Sequence, residues 1–191
     1  MITTLLGLNL INLLLLFLWV FADSWGIPGA SILIIATASL ARNIPSLLLV
    51  IGIVYLAAVI GDITTYSFAR IISRPLLKRL QRFSFFRNGE PKARRLLVKY
   101  EFMIIFLSRF TMGSLCPIMN YIAGIEKVNR GKFILAVLSG ELLYAIFFSL
   151  MGYAFGEIAN TLLGTANYLI LTVVLVIVGL WIVKYFFKEK K

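Results

Sequence analysis

Histidine is absent from this chain of 191 residues, and cysteine occurs once. Without an imidazole, the protein can build no His-based triad, no His-ligated zinc site and no phosphohistidine intermediate. The single Cys116 excludes an intramolecular disulfide and a CxxC site. Charge is scarce as well: 14% of the residues are charged and 61% are hydrophobic, whereas soluble domains have about 25% charged residues. A soluble globular domain is therefore excluded.

Long stretches without charge predict where the chain crosses a membrane, because a helix needs roughly 20 apolar residues to cross about 30 Å of hydrocarbon. We predict four spanning helices, at residues 5–21, 43–69, 133–155 and 158–187. Two other apolar segments, 27–42 and 101–125, contain glycine and proline that interrupt a helix. We expect these two to be re-entrant, which gives a single all-α membrane domain over residues 1–191.

The amino-terminal segment has two interpretations. Val20-Phe21-Ala22 resembles the cleavage site of a signal peptide. The segment lacks a basic amino-terminal region, however, and its apolar run from Leu5 to Phe21 is long. We favour an uncleaved span.

The placement of basic residues predicts the topology. Of the 19 basic residues, 10 fall between Arg70 and Lys99, where Glu90 is the one acid. The positive-inside rule makes this region cytoplasmic. Two smaller basic clusters, at 127–132 and 184–191, share that side only if segment 101–125 enters the membrane and returns to the same face. By the same logic segment 27–42 enters from the outer face, so that the two hairpins have opposite orientations and both termini are cytoplasmic.

Region 70–100 alternates apolar and basic residues at helical spacing. The apolar positions are Leu76, Leu77, Leu80 and Phe83, then Ala93, Leu96, Leu97 and Tyr100 after a turn predicted at Asn88-Gly89-Glu90-Pro91. We predict two amphipathic helices that lie on the anionic inner leaflet. Because this basic run lies between membrane segments, we expect lipids and not nucleic acid as the partner.

Three ionisable residues fall inside the apolar segments: Asp62, Arg109 and Glu141. Placing each of them at the centre of a membrane helix costs about 2.5 to 3.5 kcal/mol on insertion scales, so we expect each to have a structural or functional role. Gly113 and Pro117 break the segment of Arg109 and free backbone amides, which together with a guanidinium fork suit a phosphate headgroup.

Asp62 and Glu141 would act as counter-ions or proton carriers for Arg109. The alternative is a buried ion pair that only fixes helix packing. Asn120 is favoured as a hydrogen-bonding residue between helices over a ligand contact.

Four runs carry a family resemblance: IPGASILIIATASLA, VIGDITTYSFAR, SRFTMGSLCPIMNYIAG and GELLYAIFFSLMGYAFG. Over roughly residues 27–156 the chain resembles the DedA family of integral membrane proteins, also described by the VTT or SNARE-associated domain. The resemblance implies a fold similar to re-entrant transporters. It also implies a role in moving phospholipids or undecaprenyl phosphate between leaflets, in some members coupled to protons, and in envelope homeostasis. It assigns functional roles to Asp62 and Arg109, and Pro117, Asn120 and Gly124 fit one branch of the family.

The chain departs from the family pattern at two places. Many members carry an acid just after the first hairpin's proline, where this chain has Gly29, Ala30 and Ser31, and many carry a second arginine near positions 113–115. Glu141 is a candidate replacement for the missing acid.

From these observations we predict an inner-membrane transporter of an anionic lipid, with Arg109, Gly113, Pro117 and Asn120 binding substrate and Asp62 and Glu141 coupling ions or protons. We expect no enzyme activity, cofactor or metal. The oligomeric state stays open, as do a non-transporting scaffold and a lipid-modifying enzyme.

Overall fold

The computed structural model describes residues 8–72, 75, 78, 80–109 and 115–162. Within these ranges the protein is all-helical, as predicted, with no strand. Six helices are defined there: α1 Leu10–Asp23, α2 Ala30–Ala38, α3 Ile44–Ile72, α4 Ser84–Ser108, α5 Leu115–Ile125 and α6 Arg130–Leu162.

Two of these helices are long and apolar enough to cross a membrane. They are α3, with 29 residues, and the first 27 residues of α6, Arg130–Gly156. At 1.5 Å per residue each is about 40 Å long, more than the hydrocarbon thickness requires. Large apolar side chains point outward from both, including Leu48 and Leu56 on α3 and Leu135 and Phe147 on α6. These two candidate spans correspond to the predicted spans 43–69 and 133–155.

The described residues do not confirm the other two predicted spans, 5–21 and 158–187. Helix α1 has 14 residues, about 21 Å, which is too short to cross alone, and residues 5–7 of the predicted span 5–21 lie outside the described residues. Of the span 158–187, only the end of α6 up to Leu162 is described. Four spans therefore stay a prediction, as do the two re-entrant hairpins.

The same order of elements occurs twice along the chain. In α1, α2 and α3, and again in α4, α5 and α6, a helix is followed by a short helix and a long one, and each long helix follows an asparagine cap, Asn43 or Asn129. Each short helix packs against the long helix of the other half. Gly152 of α6 lets the backbone of Ile35 in α2 approach closely, and Gly124 of α5 does the same for the backbone of Tyr66 in α3.

Two apolar cores lie at different heights along α3 and α6. One contains Tyr66 and Phe133, whose rings stack with centroids 4.1 Å apart. The other contains Val54 of α3 and Phe148 of α6. Along α3 and α6 the stretch between the two cores carries acidic residues, and the candidate site lies there.

The turn predicted at Asn88-Gly89-Glu90-Pro91 is wrong. Helix α4 continues through these residues, and its break comes instead at Tyr100, with φ −135° and ψ 33°. Gly89 has a packing role: a Cβ atom there would collide with the Ile118 side chain of α5. Of the four residues, Gly89 thus lies at a close contact with α5, and the break in α4 lies at the predicted boundary between regions 70–100 and 101–125.

The apolar face of α4 is also placed differently from the prediction. Phe86, Ala93 and Leu97 are buried in the core that α4 shares with α5, so protein and not lipid covers this part of the face. Leu76 and Leu77 of the first predicted helix lie outside the described residues. The exposed face is basic and carries Arg87, Lys92, Arg95 and Lys99. An apolar stripe looks the same in sequence whether protein or lipid covers it, which is why periodicity could not separate the two.

Candidate functional site

Arg109 reaches the protein interior from the end of α4. The helix ends at Ser108, Arg109 is its C-cap residue, and α5 begins at Leu115. Gly140 of α6 makes room for the arginine: a Cβ atom at position 140 would lie 2.7 Å from Arg109 Cγ and 3.2 Å from the Phe106 carbonyl oxygen. The arginine stem therefore lies directly on the backbone of α6.

One guanidinium pairs with an acid from each long helix. Arg109 Nη1 lies 2.7 Å from Asp62 Oδ2 of α3, and Arg109 Nε lies 3.4 Å from Glu141 Oε1 of α6. All three side chains are almost completely buried, at no more than 5% exposure. Sequence analysis named these three residues separately, and the structure brings them together.

Helix α5 adds neutral polar groups to this ionic cluster, which we define as Asp62, Arg109, Cys116, Asn120 and Glu141. Arg109 Nη2 donates to Asn120 Oδ1 at 2.9 Å, and Asn120 Nδ2 donates to Asp62 Oδ1 at 2.6 Å. Arg109 Nη1 also donates to Cys116 Sγ at 2.6 Å. Asn120 thus makes interhelical hydrogen bonds, the role that sequence analysis favoured.

The hydrogen bonding of the ionic cluster is incomplete. Asp62 Oδ2 and Arg109 Nε are buried, and their contacts with the opposite charge lack the alignment of a hydrogen bond. Charge attraction therefore holds these two atoms without the directional bonds that normally accompany a buried ion pair.

The remaining predicted site residues are placed as follows. Pro117 is buried in the first turn of α5, where a missing N–H breaks no helical hydrogen bond. Gly113 lies outside the described residues.

Sequence analysis did not single out Asp23, the last residue of α1. Asp23 Oδ1 accepts the N–H of Ala30 at 3.3 Å and so caps the first turn of α2. Burial raises the pKa of Asp23 from 3.8 to about 6, and the nearby Asp62 raises it further, against the lowering effect of the backbone hydrogen bonds. A sequence signal existed, since Asp23 is an acid between a predicted span and a predicted hairpin.

Asp23 and Arg109 occupy matching places in the two halves. Asp23 is the last residue of α1, and Arg109 directly follows the last residue of α4. Each bonds to the residue seven positions later, in the first turn of the next short helix: Asp23 to Ala30 of α2, and Arg109 to Cys116 of α5. The ends of α1 and α4 thus carry opposite charges in corresponding positions.

The segment between α1 and α2 packs directly on α3 and α5, two of the helices that carry the ionic cluster. Thr65 Oγ1 of α3 donates to the Ser24 carbonyl oxygen at 3.1 Å, and Tyr121 Oη of α5 donates to the Trp25 carbonyl oxygen at 3.2 Å. Gly29, with φ 119°, adopts the left-handed backbone that directs the chain into α2. The segment between α1 and α2 therefore packs on α3 close to Asp62.

Asp62, Cys116 and Glu141 present ligand atoms within 4.8 Å of one another, a spacing suited to a metal ion. A guanidinium nitrogen already lies within 2.7 Å of both Asp62 and Cys116. A metal would have to displace this charge, and we assign none.

In the described residues the chain is helical, with two candidate membrane spans and buried charges between them, which is typical of a helical membrane protein. Comparison with known proteins gives the family: the VTT domain matches residues 27–154, and the chain belongs to the DedA family of VTT-domain proteins. Protein DedA of Escherichia coli K12 is 28% identical over 138 residues, which cover 69% of this chain and 61% of DedA. DedA of Escherichia coli O157:H7 matches to the same extent. No solved structure matches.

Proposed function

We propose that this protein moves a lipid with an anionic phosphate, either a phospholipid or a polyprenyl phosphate, between the leaflets of the inner membrane. It would act as a transporter and not as an enzyme, in support of envelope homeostasis, with both termini in the cytoplasm. The observation that carries the proposal is a single buried arginine shared by acids of the two long helices.

The proposed step is an exchange of partners at Arg109. A guanidinium presents a planar fork that suits phosphate as well as carboxylate oxygens. In the described state Asp62 and Glu141 both lie beside its charge. An entering phosphate takes the place of Asp62, so that the arginine is never left unpaired in a medium where an isolated charge is costly.

Charge balance connects this exchange to protons. When Arg109 turns to phosphate, Asp62 and Glu141 lose their counter-ion in a buried setting. Burial disfavours the charged form of a carboxyl group, so uptake of a proton by one of them compensates the loss. Proton coupling is therefore part of the proposal.

A second candidate is a non-transporting scaffold, in which the ionic cluster only fixes helix packing. The full burial of Arg109 and its hydrogen bond to Asn120 favour this reading. The two candidates differ in whether the charges themselves are needed.

The test uses the full chain in vesicles that contain fluorescent phospholipid, with leaflet transfer measured by chemical quenching of the outer leaflet. We expect Arg109→Gln to abolish transfer, whereas Arg95→Gln, a change at an exposed arginine of α4, should retain it. Arg109→Gln leaves buried acids unpaired at a cost of about 3 to 5 kcal/mol, so folding must be checked by gel filtration.

The double variant Asp62→Asn, Arg109→Gln addresses folding directly, because it removes both charges and leaves amides that can hydrogen-bond. A folded double variant without transfer supports the transporter. A double variant with wild-type transfer refutes the proposed role of these charges, and a folded wild-type protein without any transfer supports the scaffold.

A further inference from the structure

Helix α4 is broken at Tyr100, between residues 84–99 and residues 101–108. We call these two parts the first and the second arm of α4. Sharp kinks in helices usually occur at proline or at small residues such as glycine and serine, and positions 99–101 contain none of these. The bend at Tyr100 is therefore set by what the two arms contact and not by the local sequence.

The second arm determines where Arg109 lies. Arg109 follows directly after this arm, nine positions beyond Tyr100. At 1.5 Å per residue this distance is about 13 Å, so a change of about 10° in the bend would move Arg109 by about 2 Å. Arg109 Nη1 lies 2.7 Å from Asp62 Oδ2, and a movement of that size would separate the two. The ionic cluster therefore requires a closely fixed bend.

One segment of the chain contacts both arms. This is the joining segment, residues 126–132, which contains the turn after α5 and the first residues of α6. Arg94 Nη1 of the first arm pairs with Glu126 Oε1 at 2.5 Å, and Lys132 Nζ pairs with Glu101 Oε2 of the second arm at 2.6 Å. A segment that is attached on both sides of the break fixes the angle between the arms.

The joining segment is itself firmly held. Lys127, with φ 55°, has left-handed backbone, and the N–H groups of Lys127 and Val128 donate to the carbonyl oxygens of Gly124 and Ala123, both at 3.0 Å. This is the Schellman pattern that ends many helices. Tyr66 Oη of α3 donates to the Val128 carbonyl oxygen at 2.6 Å. The segment is thus a fixed point to which both arms of α4 are attached.

We infer that the joining segment holds α4 bent at Tyr100 and so positions Arg109. The positioning residues are the four that form the two ion pairs, Arg94, Glu101, Glu126 and Lys132. The inference rests on the proposed function wherever lipid transfer is its readout. The four side chains are at least 35% exposed, and salt screens exposed charges more strongly than buried ones. The position of the buried Arg109 thereby becomes sensitive to the ionic strength outside the membrane.

The first experiment measures the bend without any transport. Spin labels are attached to the full chain at Arg87→Cys on the first arm and Leu107→Cys on the second arm, two exposed positions. The one native cysteine is replaced by Cys116→Ser, and the distance between the labels is measured by electron paramagnetic resonance. We expect Glu101→Lys to lengthen and broaden this distance, because it faces Lys132 with a like charge and a straighter helix is longer.

Reversal of the whole ion pair is the rescue. The double variant Glu101→Lys, Lys132→Glu restores an attraction with its signs exchanged, so it should restore the wild-type label distance. In reconstituted vesicles, an exposed ion pair shifts an equilibrium by up to about fivefold. We therefore expect Glu101→Lys to reduce leaflet transfer by about that factor, and the double variant to recover it. The tests use this pair because Arg94 also contacts Glu90 of its own arm.

Salt dependence gives a readout that a merely structural role would not change. Between about 0.1 M and about 1 M salt the Debye length falls from about 10 Å to about 3 Å, so wild-type transfer should decline. Glu101→Gln should be slower at low salt and decline less. Arg95→Gln is the matched control: Arg95 is exposed, and its Nε donates to the Pro91 carbonyl oxygen of its own arm. It should keep the wild-type label distance and the wild-type salt dependence.

The outcomes separate the inference from the proposed function. An unchanged label distance in Glu101→Lys overturns the inference, and so does a double variant that stays as impaired as the single one. If Glu101→Lys does not fold, Glu101→Gln removes the pair without repulsion and should give a smaller shift in the same direction. Absence of transfer by the folded wild-type protein overturns the proposed function, and the label distances then decide alone whether the ion pairs hold the bend.

Discussion

Gly140 offers a sharp test of the packing around Arg109. In Gly140→Ala the new Cβ would lie 2.7 Å from Arg109 Cγ and 3.2 Å from the Phe106 carbonyl oxygen, whereas carbon atoms prefer a separation of about 3.5 to 4.0 Å. One of these atoms must therefore shift by close to an ångström. Overpacking of this kind costs about 1 to 3 kcal/mol, and the displaced arginine would lose its alignment with Asp62.

The control is the same substitution at Gly52 of α3, where a new Cβ has nothing within 4 Å. Both positions lie in long helices, so the gain in helix propensity, up to about 1 kcal/mol for alanine over glycine, is common to the two variants. The difference between them isolates the steric cost.

The assay is thermal unfolding of the detergent-purified full chain. At about 2 to 4 °C per kcal/mol for a chain of this size, the Tm of Gly140→Ala should lie several degrees below that of Gly52→Ala. Equal Tm values for the two variants would show that α6 and Arg109 are not in the close contact described. The described position of Arg109 in the ionic cluster would then be wrong.

Two further predictions concern residues away from Arg109. Pro91→Ala should raise the Tm, because a proline inside a helix costs about 3 kcal/mol and Pro91 stands inside α4 at an exposed position; an unchanged or lower Tm would contradict this. Asp23 binds a proton more tightly in the folded state, since its pKa rises from 3.8 to about 6, so its contribution to stability should decline as the pH increases from 4 to 6. A plot of Tm against pH for Asp23→Asn should lack that part of the decline, and curves parallel to the wild type would refute it.

Sequence reasoning succeeded where the physical constraint was local. Long apolar stretches with one acid each predicted the helices around 43–69 and 133–155, because charged residues are rare where the chain crosses hydrocarbon. The same rarity identified Asp62, Arg109 and Glu141 as residues that need partners. Sequence alone could not pair them, since their contacts depend on how α3, α4 and α6 pack.

The errors arose where one residue pattern suits two structures. Asn88-Gly89-Glu90-Pro91 has the composition of a turn, yet these residues continue α4, and Gly89 lies against the Ile118 side chain of α5. The apolar stripe of α4 fits a lipid surface as well as a protein core. Asp23 was missed because an acid beside a predicted span looks like an ordinary boundary residue until the fold shows it capping α2.

The exchange of short helices between the two halves has a consequence for assembly. Because α2 packs on α6, and α5 packs on α3 as well as on α4, each half lacks part of the surface against which its own short helix packs. A fragment ending at Ile72 would leave α2 without α6, and the complementary fragment would leave α5 without α3. The first half to be synthesised must therefore wait for the second before either becomes fully ordered, and separately expressed halves should acquire a stable structure only together.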